Sequence, residues 1–135
     1  MHTIEEAAAR AVALARRMRH LFIATADAAG LPHLAAAEEM ALRADGRLAV
    51  TAWFCPQTVV NLSANPRISV VAWDSAADDG LQVLGEAEAV EEVAFLDGLA
   101  PGEEAHPLPQ VERRIVIRPT RTLVFTLAPH TDREE

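Results

Sequence analysis

Apolar residues change their spacing along this chain, and the changes mark its elements. From Thr3 to Arg19 they recur at helical intervals, with Ile4, Ala8, Ala11, Ala15 and Met18 on one face. Thr3 is placed to cap this helix, and Glu6, three residues on, can complete a capping box. Glu5 and Glu6 stand at its positive end, with Arg16, Arg17, Arg19 and His20 at its negative end. After residue 20 the segments become short and β-like. Strands are predicted over 21–26, 32–37 continuing through 43, 47–54, 68–73, 81–90, 111–118 and 122–127. Turn chemistry separates them, with Gly30 closing the turn that starts at Asp27 and an Asp45-Gly46 hairpin signal. Cys55-Pro56 opens a short helix that ends before Asn65-Pro66. Residues 91–99 read as another short helix, Pro119 as a break between the last two strands, and 130–135 as a frayed tail.

Six or seven strands at regular turn spacing predict a mainly β fold, a small barrel with an N-terminal helix over 3–19 and short connecting helices. No linker or repeat divides it, so 1–135 reads as one domain with a flexible tail at 129–135. Half the residues are hydrophobic, yet 27 are alanine and only Phe22, Trp53, Phe54, Trp73, Phe95 and Phe125 are aromatic. Such a core makes many small contacts, and extra burial by dimerisation would help it. The longest apolar run is far too short to span a bilayer, so no membrane partner is expected. One unpaired thiol, Cys55, and the lack of a secretory signal point to the cytoplasm.

Charge narrows the chemistry. Net charge is −8, which argues against general nucleic-acid binding. All 12 basic residues are arginine, and the missing lysine excludes a Walker A loop, a Schiff-base enzyme and a lysine general base. A single cysteine and five histidines without i, i+3 or i+4 spacing give no metal-ligand pattern. Between Ile68 and Glu112 there are ten acids and no arginine. An anionic ligand is therefore expected near Arg43, Arg47, Arg67 or the C-terminal strands. The helix after Pro56 reads in two ways. Its free N–H groups, with Gln57 and Thr58, can cradle a phosphate, or it is a connector packing Val59 and Leu62 on the barrel.

The order of segments favours the first reading. Leu21-Phe22-Ile23-Ala24-Thr25, Gly30-Leu31-Pro32-His33-Leu34 and Asp45-Gly46-Arg47-Leu48 are followed by Asn61-Leu62 and Asn65-Pro66-Arg67-Ile68-Ser69-Val70. Leu81-Gln82-Val83-Leu84-Gly85-Glu86-Ala87 completes the series. In this order and spacing the chain resembles the pyridoxamine 5'-phosphate oxidase-like, FMN-binding split-barrel superfamily. The resemblance covers about half the chain, from 21 to 90. It implies a split β-barrel, a homodimer with FMN at the interface, and a small-molecule redox substrate or electron donor. It places Thr51 and Ala52 at the flavin, Trp53 beside the ring or in core or dimer-interface packing, and Ala35, Ala36 and Ala37 beneath the ring. It puts Gln57, Thr58 and Asn61 on the phosphate side, and Trp73 beside the ring or in packing.

The chain departs from the family's pattern where a basic residue is usual in the phosphate turn, since Thr58 stands there. Arg67, Arg118 and Arg121 are the candidates to replace that charge. The arginine-rich strand motif and the C-terminal substrate region of the vitamin B6 oxidases have no counterpart, which implies a different substrate. The alternatives are a non-catalytic split-barrel dimer, acting as a binding or stress-response module, and the same fold holding a deazaflavin or haem.

Overall fold

The structure, a computed structural model, describes residues 3–53, 55–95, 111–128 and 131–134. Helix α1 (Ile4–Met18) begins where Thr3 accepts a hydrogen bond from the Glu6 N–H at 3.1 Å and ends at Arg19, whose φ of 64° is left-handed. It buries Ala7, Ala8, Ala11, Val12, Leu14 and Ala15, a face rotated from the expected one, so that Ile4 is exposed. Small side chains let α1 lie close on the sheet, and its axis lies against β5 and β3.

The strands are β1 (Leu21–Ala26), β2 (Pro32–Ala37), β3 (Glu39–Leu42), β4 (Leu48–Trp53), β5 (Arg67–Asp74), β6 (Asp79–Phe95), β7 (Val111–Thr126) and β8 (Thr131–Glu134). Helix α2 (Pro56–Ala64) follows β4. All pairings are antiparallel, in the order β2-β1-β5-β6-β7-β4-β3, with β8 added on β7. This order dictates the shape. Strands β2 and β3 stand at opposite ends of it yet are joined by Glu38 alone, so the sheet must curl until its edges meet. The inner face carries Leu21, Ile23, Met40, Leu48, Val50, Val70, Leu81, Val83, Ile115 and Ile117, which α1 covers. Both short turns form as their residues require. Gly30 and Gly46 have φ of 90° and 84°, and Asp27 Oδ1 accepts from the N–H groups of Ala29 and Leu31 at 2.9 Å.

Four expectations are corrected. The stretch 32–43 is two strands, broken at Glu38 where the barrel turns its corner. Residues 91–95 are strand, because Val90, Glu91 and Glu92 pair with Ile115, Arg114 and Arg113; residues 96–99 lie outside those described. Pro119 does not break β7. It faces Gly85 at a bulge, and the register resumes at Leu84 opposite Arg121. Residues 131–134 of the tail form β8, paired with Leu123 to Thr126. The end of β7 is tied further by Asp78, whose carboxylate accepts the N–H groups of Leu127 and Ala128 at 2.7 and 3.1 Å.

Candidate functional site

The curled sheet leaves one seam unzipped. Among the described residues, strand β2 is hydrogen-bonded to β1 on one side only, and its other edge faces β4 and the start of α2. Cys55, the N-cap of α2, reaches that edge, its Sγ donating toward the carbonyl oxygen of Ala36 at 3.9 Å. Since backbone groups alternate in an antiparallel pair, the same edge also presents those of Leu34. Ala36 and Leu34 are exposed, the latter at 62%. No side chain caps α2, and Pro56 occupies its first turn, so the N–H groups of that turn lack a side-chain acceptor from the cap. The seam thus joins Ala35 and Ala36, the end of β4 with Thr51 to Trp53, and the opening turn of α2. It offers neutral backbone donors beside the methyl side chains of Ala35 and Ala36, which suits the close approach of a flat ring.

Under α2 the polar residues turn inward. Gln57 Nε2 donates to Asn61 Oδ1 at 2.9 Å, and Asn61 Nδ2 donates to Thr25 Oγ1 at 3.0 Å. Thr25 stands opposite His33 in the β1–β2 register, and Thr58 lies one turn before Asn61 on the same face of α2. Thr58 is 0% exposed, and its Oγ1, like Nδ1 of His33, is buried with no hydrogen-bond partner among the described residues. Asn61 is likewise buried and serves to fasten α2 to β1. Thr58 is sealed as a whole residue, so at the opening of α2 it is Gln57 that is exposed. Ala37, also expected beneath the ring, is buried in the core.

Two expected residues fall elsewhere. Arg67 is exposed past the end of α2, where it lines a separate hollow of about 550 Å³ with Thr25, Ser69 and Arg121. Trp73 stacks on Phe125, with ring centroids 5.1 Å apart, across Gly80, which pairs with both residues. The glycine is required there, because a Cβ would overlap the Phe125 ring. Several arginines on and beside the strands are already engaged. Arg47 meets Glu88 at 2.8 Å, Arg118 meets Glu86 at 2.9 Å, and Arg114 meets Glu91 at 3.5 Å. The hydrogen bond to Arg47 holds the Glu88 carboxyl below the usual carboxylate range.

A feature that the sequence reading passed over adjoins Thr51. A cleft of about 600 Å³ opens between the end of α1 and strands β3 and β4, with Arg16, Arg19 and Arg114 on its walls. Arg16 and Arg19 lie far in sequence from Arg114 on β7, and their place at the end of α1 explained them as partners of the helix dipole. No sequence signal pairs them with β4.

The outer face of the sheet is apolar. One row across it runs Ala36, Phe22, Val71, Gln82 and Leu123, and the next runs Leu34, Ala24, Ser69, Leu84 and Arg121. At its centre Gln82 Nε2 donates to Ser69 Oγ at 2.6 Å, so its polar groups satisfy each other. Among the described residues no helix is long and apolar enough to cross a membrane.

Residues 7–128 match a family model described as pyridoxamine 5'-phosphate oxidase. Comparison with curated proteins gives no match. Among solved structures, the chain is similar to a pyridoxamine 5'-phosphate oxidase-related, FMN binding protein from Nostoc punctiforme. That likeness has a TM-score of 0.65 at 12% identity and covers 99% of this chain and 90% of that one. An F420 reductase aligns at a TM-score of 0.57 and 22% identity, over 82% of this chain and 93% of the other. HutZ, the heme storage protein of Vibrio cholerae, aligns at 0.54 and 14%, over 83% and 89%. At these identities the likeness is one of fold, and the three names mention three different groups.

Proposed function

The chain belongs to the pyridoxamine 5'-phosphate oxidase family, and on that premise we propose that it is an FMN-binding protein, a small flavin-dependent oxidoreductase working as a cytoplasmic homodimer. The observation that carries this reading is the seam itself, an unpaired strand edge beside an uncapped helix start. Ala35 and Ala36 leave room for the isoalloxazine, and the backbone of Thr51 and Ala52 lines its edge. The opening turn of α2 receives the phosphate through the exposed Gln57, and the buried Thr58 takes no part. Bound FMN supplies hydride and single-electron transfer, and the protein's share is to hold and orient it. Neutral donors replace the usual cation, so binding is weaker than a lysine-bearing turn would give.

Haem needs an axial ligand. Neither described histidine, His20 or His33, is among the residues of the seam, which favours flavin there. A deazaflavin's longer anionic tail would want cations at α2, and the described part of that helix carries none. The placement is tested with Gln57→Glu, which sets a like charge before the phosphate. FMN affinity should fall at least tenfold, a loss of about 1.4 kcal/mol. Unchanged affinity would put the phosphate elsewhere.

A further inference from the structure

The hollow beside Arg67, about 550 Å³, lies at one end of the outer sheet face, where β1 ends and β5 begins. Ala24, Ala26 and Leu84 give it apolar surface. Its polar side chains are unequally available. Thr120 Oγ1 donates to the Leu84 carbonyl oxygen at 3.2 Å, and Ser69 Oγ accepts from Gln82 Nε2. Glu86 stands in register between Arg67 on β5 and Arg118 on β7, yet its carboxylate meets Arg118. The Arg67 guanidinium is left with no ion pair or hydrogen bond among the described residues. Asn65 Oδ1 accepts from the Arg67 N–H at 3.2 Å, which leaves Asn65 Nδ2 as a donor.

The bulge on β7 brings a second guanidinium. The ladder steps from Pro119 opposite Gly85 to Arg121 opposite Leu84, so Thr120 is the extra residue. Without it Arg121 would fall on the other face of the sheet. The hollow thus offers donors and positive charge over an apolar floor. Arg67 and Arg121 against Glu86 leave an excess of one positive charge. A carboxylate balances that excess and takes two parallel bonds from a guanidinium. Inorganic phosphate overshoots it and leaves the apolar floor bare.

We propose that this hollow binds a small apolar carboxylic acid in its ionised form, with the carboxylate on Arg67 and Asn65 and the body on Ala24, Ala26 and Leu84. Arg121 adds its charge from the β7 side. All of these groups come from one chain and none belongs to the seam, so this binding does not depend on FMN.

The test is an NMR titration of the full chain with hexanoate. The amides of Ala24, Ser69 and Leu84 should shift and saturate. Hexanamide, the same body without the charge, should bind about tenfold more weakly. Acetate, the same charge without the body, should also bind more weakly. Arg67→Gln should lower hexanoate affinity about tenfold, and it breaks no side-chain bond within the chain, so the fold is kept. Arg16→Gln, which changes the net charge equally from α1, should leave the affinity as it was. Shifts that never saturate, hexanamide binding as well as hexanoate, or equal losses from the two arginine variants would each overturn the proposal. So would an affinity that falls as the protein is concentrated, because a second copy would then fill the hollow.

Discussion

A hydroxyl sealed from water without a partner lowers stability, and Thr58 carries one. Thr58→Val keeps the branched shape and removes the orphan. Stability should rise by about 1 kcal/mol, seen as a higher urea midpoint at unchanged slope. A fall would mean that the hydroxyl has a partner in solution. The roles legible in the sequence at this scale are local ones. Thr3 caps a helix, Asp27 braces a turn, and Gly30 and Gly46 supply positive φ, because each depends on neighbours within a few positions. Thr58 was readable as a helix-start residue but not as an inward-facing one. The side of α2 that meets the barrel is set by Asn61 reaching Thr25, 36 positions away. Arg16 and Arg19 were hidden for the same reason, since their cleft exists only once β3 and β4 fold against α1.

Among the elements, β6 and β7 show tertiary pairing overriding local preference. Glu91 and Glu92 belong to a run of good helix formers, yet each faces an arginine on β7, and cross-strand pairing with apolar neighbours wins. Pro119 was legible as an interruption of the ladder. That the interruption is a bulge within one strand depends on Gly85, whose missing Cβ leaves space for the carbonyl oxygen of Arg118. Gly85→Ala forces that backbone contact apart. It should destabilise the fold by about 2–3 kcal/mol in denaturant melts, more than an exposed glycine-to-alanine change would. A neutral result would show that the bulge gives way freely. β8 was missed because six polar residues carry no strand pattern of their own; the edge of β7 recruits their backbone.

For the whole molecule, the barrel and the family were legible because several short motifs recur in one order, each fixing a turn or a buried strand. The seam was legible only through the resemblance, since an unpaired edge has no signature in sequence. The outer apolar face fits a homodimer, for Phe22, Val71, Leu84 and Leu123 are half-buried and Leu34 stands out among them. Sedimentation should show two chains per particle, and Leu34→Glu should shift the particle toward monomer; a wild-type monomer would remove the proposed interface. The central claim is that FMN occupies the seam between β2, the end of β4 and the start of α2. Titrating the purified chain with FMN and following flavin fluorescence tests it most directly. Quenching that saturates near one flavin per chain is the predicted result, and free-flavin fluorescence persisting up to high micromolar FMN would contradict the account.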